Sequence, residues 1–437
     1  MKAFIDLGDK HVKDLIKGGG ITLLFYGLNL IMVYLIALFI SKNYGSEIYG
    51  RFSIIKSLIL VLIIISTLGL NTLMIKLSSD VNFFKNGIFK TDFFAKSYII
   101  VFIFSASVSI FFFLISEQIA TNIFKDVKLI PYFKVFPFLL MGAVFLNMNS
   151  NLLKGQGKVL TFAIISSFLG NFILLTTTMI IFKLYSRDEF YLIILFLISI
   201  VVSLLVSFYF ILPIRYSRDF YTEKAHRLFS LSLPMMASAS MIYIIFSSDI
   251  LILGFFETSE RVGVYRIVSQ IASVNSLFVI AFGTVLGPKI SNLYSEKKDQ
   301  ELKRNIFSAT KLIFFITLPV LFLIIVFSRK ILLFFGPEYI TGLKSLVLLS
   351  VCQFLYAITG FSDLILNMTH HQKAFSKITL ITASINLVLN FILIPLYGIF
   401  GAALATGISI VLTNLISVIY INKKFNILLI YFPFLNS

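Results

Sequence analysis

Tryptophan is absent from this 437-residue chain, cysteine occurs once, histidine four times, and Asp, Glu, Lys and Arg together make up only 13% of it. Each scarcity closes off a class of protein. One cysteine, Cys352, leaves no intramolecular disulfide framework, and its apolar neighbourhood reads as that of a small core residue. Only His370 and His371 are close, and adjacent side chains on a helix point about 100° apart, so the pair is a poor metal site. With the other histidines in terminal or loop positions, no credible nucleophile–histidine–acid set forms. The chain therefore does not read as an enzyme, and no cofactor or metal is expected. Soluble domains carry roughly 25% charged residues. At 13% charged and 58% hydrophobic, no soluble fold of this length could cover its apolar surface, so the excess faces lipid.

What is present is a succession of windows, charge-free except for Asp249 in the seventh and Asp363 near the end of the tenth, each near the ~20 apolar residues that cross a bilayer as a helix. They are Gly18–Ser41, Ser57–Ile75, Ser97–Ser116, Val135–Leu153, Val159–Phe182 and Phe190–Ile214, then Leu228–Phe256, Ile267–Pro288, Leu312–Ser328 and Ser345–Leu366. The stretch Ile378–Asn422 contains no charge, is too long for one span and suits two, with Pro395, Gly398 and Gly401 as the break. The expectation is an all-α integral membrane protein of about twelve transmembrane helices. Connections are short, no soluble domain is inserted, and Met1–Lys17 reads as a retained mixed-charge stretch rather than a secretory signal.

A net charge of +17 in a soluble protein would suggest nucleic acid. Here its distribution matters instead, and no nucleic-acid partner is expected. With the amino terminus placed inside, 24 of the 37 Lys and Arg fall in inside segments and 13 outside, which supports both termini in the cytoplasm. The richest inside loop is Lys289–Lys311. Without Trp, the interfacial belt is left to Tyr, with Tyr44, Tyr49, Tyr185 and Tyr216 at suitable window ends.

The two halves repeat. Ser46-Glu47-x-x-Gly50 recurs as Ser259-Glu260-x-x-Gly263, 213 residues later, and Lys76 matches Lys289 at the same offset. Lys158 and Asn171 match Lys373 and Asn386 at an offset of 215. Six helices per half make the repeats parallel, predicting six-helix lobes over residues 1–214 and 215–437.

Charges inside a membrane are expensive and mark functional candidates. Asp249, within the seventh window, is either a structural partner across helices or a cavity acid that binds a coupling cation or proton. Lys56 and Arg266 open the repeat-related second and eighth windows. Arg266, Ser269, Ser273 and Ser276 form a polar stripe at helical spacing, either snorkelling to the headgroups or lining a path for an anionic headgroup. Thr379, Thr382, Asn386 and Asn390 share one helix face, for interhelical hydrogen bonds or a hydrophilic cavity. Asp363 is expected to pair with the basic loop Lys373–Lys377. Gly155-Gln156-Gly157-Lys158 is no phosphate loop, because Leu152 stands where the first Gly belongs and Val159 replaces the Ser/Thr.

The segments Asn386-x-x-x-Asn390, Ile394-Pro395-x-Tyr397-Gly398-Ile399-x-Gly401-Ala402-Ala403-x-Ala405-Thr406 and Asp249-x-x-Ile252-Leu253-Gly254, with Val262-Gly263-Val264-Tyr265, resemble signatures of the bacterial polysaccharide transporters, in particular O-antigen flippases of the Wzx type. These are related to lipid II flippases and to multidrug extruders of the MATE type. The resemblance spans nearly the whole chain. It implies translocation of an undecaprenyl-pyrophosphate-linked oligosaccharide from the cytoplasmic to the outer leaflet of a bacterial inner membrane. It further implies alternating access driven by a proton or sodium gradient, with membrane lipid, a polymerase and a chain-length protein as partners. On that reading Lys56 and Arg266 supply cations for the pyrophosphate, Ser269, Ser273, Asn386 and Asn390 partner the sugars, and Asp249 couples the ion. The family's cavity charge on the first helix has no counterpart in Gly18–Ser41. Two rivals stand beside it. One is a multidrug or cation extruder of the related type, which Asp249 and Asp363 leave open. The other is an O-antigen polymerase or ligase, which the lack of a large external loop opposes.

Overall fold

The computed structural model describes residues 10–80, 84–85, 88–184, 188–212, 215–221, 225–359 and 361–426. Tyr185 and residues 1–9 of the amino-terminal stretch lie outside them. The chain is helical almost throughout. Its helices are α1 (Lys10–Thr67), α2 (Leu70–Ser79), α3 (Phe93–Leu114), α4 (Ile130–Gly155), α5 (Val159–Leu184) and α6 (Glu189–Ile211), then α7 (Ala225–Phe256), α8 (Ser259–Ala272), α9 (Val274–Ser295), α10 (Asp299–Phe335), α11 (Leu343–Ile358), α12 (Ser362–Met368), α13 (Gln372–Tyr397) and α14 (Ile399–Phe425).

Among the described residues, ten segments are long and apolar enough to cross a membrane. The difference from twelve windows lies in two places. The first two windows run into one helix, α1, broken at Gly45 (φ 86°, ψ 172°), and the segment Gly27–Thr67, with Lys42, Glu47, Arg51 and Lys56 around the break, has 41 residues. At ~1.5 Å per residue that is about twice the ~30 Å hydrocarbon core. The seventh window lies in α7, where only Ser247–Phe256 counts as a described apolar stretch. The eighth and tenth windows are each interrupted, at Ser273 between α8 and α9 and at the positive-φ residue Phe361 before α12.

The helices are built inside out relative to a soluble protein. On α3 the buried face is Ser97, Val101, Ser105 and Ser109, while Phe102, Ile103, Phe111 and Phe113 are exposed. Ser199, Ser203 and Ser207 repeat the pattern on α6. Small residues let helices approach closely where lipid gives no hydrophobic drive, and large apolar side chains face the acyl chains. Among the described residues, 16 of the 49 Phe residues are exposed in this way, whereas others such as Phe89, Phe93 and Phe133 are buried.

The chain divides into two compact units, residues 1–43 with 55–240 and residues 44–54 with 241–437. In the first, Leu70, Leu73 and Met74 of α2 and Leu139, Leu140 and Val144 of α4 are fully buried. A small sheet belongs to it as well. Strand β1 (Phe84–Lys85) pairs antiparallel with β2 (Ile88–Thr91), which pairs parallel with β3 (Arg215–Tyr221), joining two loops that the charge bias places inside. Tyr216 is part of β3. In the second unit, Ile290, Ile306, Ile313, Ile365 and Ile421 form a core.

The second unit also holds the amino-terminal copy of the repeated motif. A Cβ on Gly50 would lie 1.7 Å from the Ser259 carbonyl oxygen, and one on Gly263 would lie 1.9 Å from the Ser46 carbonyl oxygen. The two motifs thus pack on each other reciprocally, each Gly against the other's Ser. Tyr49, expected at the membrane interface, is instead buried in this contact region and donates to Gln270 Oε1 at 3.2 Å.

Candidate functional site

Asp249 is 6% exposed, on the stretch of α7 that also buries Ser247 and Ser248. Its carboxylate is held by three other helices. Asn390 Nδ2 on α13 donates to Oδ1 at 2.7 Å. Tyr265 Oη on α8 donates to Oδ2 at 2.7 Å, and the Thr406 hydroxyl on α14 donates to the same oxygen. Asn386, one turn before Asn390, accepts from Ser248 Oγ at 3.2 Å and from Asn390 Nδ2 at 3.1 Å. The i, i+4 spacing of the two asparagines stacks both amides on one face of α13.

The energetics of this cluster are unusual. Burying a carboxylate costs several kcal/mol unless it is paired. Hydrogen bonds to a charged group return ~1.5–3 kcal/mol each. Neutral donors on Asn390, Tyr265, Thr406 and Ser248 meet that need in part, and among the described residues no Lys or Arg forms an ion pair with Asp249. The cluster is also incompletely satisfied, since Asn386 Nδ2 and Asn390 Oδ1 are buried without partners. A carboxylate, two amide oxygens and hydroxyls, with spare bonding capacity and no resident cation partner, can hold a proton or a small hard cation.

The other expected residues are dispersed. Asn386 and Asn390 are drawn into the Asp249 cluster, 1% and 0% exposed. Arg266 is half-buried on α8. The serines after it turn onto their own backbone, Ser269 Oγ donating to the Arg266 carbonyl at 3.0 Å and Ser273 Oγ to the Gln270 carbonyl at 2.7 Å. The helix breaks at Ser273, so the stripe is not one continuous face. Lys56 is half-buried on α1, in the first unit. Asp363 makes no ion pair with Lys373 or Lys377 among the described residues. It sits in the first turn of α12, bonded to backbone N–H groups of its own helix, which corrects the expected pairing. Asn171, the repeat match of Asn386, makes an interhelical bond of its own, donating to Asn29 Oδ1 at 2.8 Å in the first unit. Cys352 is buried against Gly407.

The spacing of polar residues along single helices misses Tyr265, Thr406 and Ser248. Tyr265 and Thr406 nevertheless end the two quoted signature segments, so the motif strings carried them. Nothing in the local pattern said that they converge on Asp249.

The family model for polysaccharide biosynthesis protein matches residues 45–344. The protein named probable low-salt glycan biosynthesis flippase Agl15, from Haloferax volcanii, is 28% identical over 205 residues, which is 46% of this chain and 43% of that one. The chain thus spans less than half the length of that relative. The capsular polysaccharide biosynthesis protein CapF of Staphylococcus aureus is 27% identical over 272 residues, 57% of this chain and 67% of that one. Among solved structures, an inward-facing multidrug resistance MATE family transporter of the MOP superfamily superposes with a TM-score of 0.76 at 14% identity, covering 93% of this chain and 98% of that one. The lipid II flippase MurJ, in an inward closed conformation, gives 0.67 at 17% identity, covering 94% and 89%. These likenesses establish a multi-pass helical fold shared with transporters.

Proposed function

Because the chain belongs to the polysaccharide biosynthesis protein family, we propose that it is a flippase for a lipid-linked oligosaccharide. The substrate is an undecaprenyl-pyrophosphate-linked repeat unit, turned from the cytoplasmic to the outer leaflet of a bacterial inner membrane. The lipid tail stays in the bilayer, so only the headgroup needs a polar path. Relatives named as glycan flippases and as a capsular polysaccharide protein support the substrate class.

The observation that carries the mechanism is the Asp249 cluster. A carboxylate buried among four helices without a cation partner is costly. We assign it to the coupling ion, a proton or sodium, whose binding neutralises the charge and whose release restores it. That cycle gives two states of different internal energy in which a headgroup can be bound on alternate sides. Lys56 and Arg266 are the cations assigned to attract the pyrophosphate. Ser269 and Ser273 keep oxygen lone pairs available to sugar hydroxyls.

Reconstitution tests the reading. Proteoliposomes bearing a fluorescent polyprenyl-pyrophosphate oligosaccharide should show translocation that an ion gradient accelerates. Extrusion of an aromatic cation without lipid translocation would establish the multidrug alternative. In cells, double replacement of Lys56 and Arg266 by Ala should abolish surface glycan while leaving expression intact, and unchanged glycan would remove both residues from the path.

A further inference from the structure

A second polar site lies away from Asp249, at the end of the second unit that the charge bias places outside. It is an open groove of about 450 Å³, within the roughly 300–1,000 Å³ range of small-molecule sites. Three connections converge on it: the turn from α7 to α8, the segment Pro337–Gly342 before α11, and the turn between α13 and α14. Its working residues are Thr258, Glu260, Arg261, Thr341, Tyr397 and Phe400.

The groove is built rather than incidental. Arg261 Nη1 donates to both carboxylate oxygens of Glu257, at 2.9 and 2.8 Å. The turn at Gly398 presses against this pair. Gly398 has φ +56°, and a Cβ there would fall 2.7 Å from Glu257 Oε1 and 3.2 Å from Arg261 Nη1. The two signature segments therefore meet twice, at the buried acid and again at this rim.

Charge decides what the groove can take. Glu257 and Glu260 outnumber Arg261, so a phosphate or pyrophosphate is disfavoured. The Tyr397 ring is 58% exposed and, with half-buried Phe400, supplies an apolar wall. The same groove is lined by Thr258, Thr341 and Glu260, whose carboxylate has no ion-pair partner among the described residues. Aromatic rings sharing a groove with hydroxyls, a carboxylate and a planar guanidinium match a ring that is apolar on its C–H face and polyhydroxylated at its edge.

We propose that this groove is an outward-side subsite for a neutral or amino sugar of the headgroup, occupied as the glycan leaves the transport path. The proposal rests on the flippase reading above, but on a different set of residues.

The test uses the full chain in nanodiscs, with glucose and N-acetylglucosamine as probes and saturation-transfer NMR as the readout. Transfer from Tyr and Phe protons to sugar ring protons is expected. Tyr397→Ala should reduce it about fivefold, whereas Tyr397→Phe should retain it. In proteoliposomes, Glu260→Gln should slow oligosaccharide translocation several-fold at unchanged thermal stability. If the wild-type chain translocates oligosaccharide but transfers saturation to neither sugar, the subsite is wrong and the flippase reading stands. Binding of tetraphenylphosphonium that Tyr397→Ala abolishes, with no sugar bound, would overturn it in favour of a cation site. If the wild-type chain translocates no lipid-linked oligosaccharide, the flippase reading falls and the subsite falls with it.

Discussion

At the residue scale the decisive question is whether Asp249 holds the protein together or works for it, and the two roles move stability in opposite directions. A structural carboxylate anchors Tyr265, Asn390 and Thr406, so losing its charge should loosen three helices. A coupling carboxylate carries a burial cost that neutralisation relieves. Asp249→Asn keeps the size of the side chain and replaces one acceptor oxygen by a donor NH2, to which the Tyr265 and Thr406 hydroxyls can turn as acceptors. It is expected to leave the thermal midpoint level or raised in detergent while gradient-driven translocation is lost. A lowered midpoint with transport intact would make the cluster purely structural. Thr406→Val is the complement. It removes a donor to a buried charge at a cost of about 1.5–3 kcal/mol, and should lower the midpoint measurably. The sequence exposed Asp249 as an intramembrane charge and Asn386 and Asn390 as one helix face, because both are properties of a single helix. It did not expose the Tyr265 and Thr406 contacts, which depend on how four helices cross.

At the element scale, the repeat turns out to be a contact as well as a pattern. Ser46-Glu47-x-x-Gly50 and Ser259-Glu260-x-x-Gly263 were legible as matching strings, but matching strings carry no information about whether they touch. Their glycines explain why they do. With potential Cβ atoms 1.7 and 1.9 Å from opposing carbonyl oxygens, neither position tolerates a side chain at the present helix separation. Gly50→Ala and Gly263→Ala should each destabilise by about 1–3 kcal/mol through overpacking. Either one forces the same helices apart, so the second adds less once the first is present, and the double variant should fall short of the summed effects. Strict additivity in thermal unfolding would mean that the two sites do not share a contact. The helix interruptions were less legible. Pro395 and Gly398 announced the break between α13 and α14, whereas the breaks at Ser273 and Phe361 carry no Pro, and the apolar windows run straight across them.

At the scale of the whole molecule, hydropathy identified a multi-pass helical protein because the bilayer sets a length that apolar windows must meet. The same windows did not reveal that the first two continue as one 41-residue segment, because Lys42, Glu47, Arg51 and Lys56 interrupt the charge-free runs while the helix continues on both sides of Gly45. Nor did they reveal the small sheet of β1, β2 and β3, whose strands lie in loops far apart in sequence. Orientation rests on charge bias alone, and the single cysteine makes it directly testable. Cys352 is buried, so Cys352→Ala, which introduces no unpaired polar atom, yields a chain without thiols. Single cysteines can then be placed in exposed loops. At Asp126, Glu260 and Glu338, all on segments assigned outside, a membrane-impermeant maleimide should label intact cells. At Lys297 and Lys424, assigned inside, labelling should require permeabilisation. The reverse pattern would invert the topology and move the Glu260 groove to the cytoplasmic side, where a sugar subsite would receive the glycan rather than release it. A mixed pattern within one half would break the six-helix parity from which the parallel repeat was inferred. The labelling pattern thus ties the direction of transport, the role of the groove and the repeat architecture to one measurement.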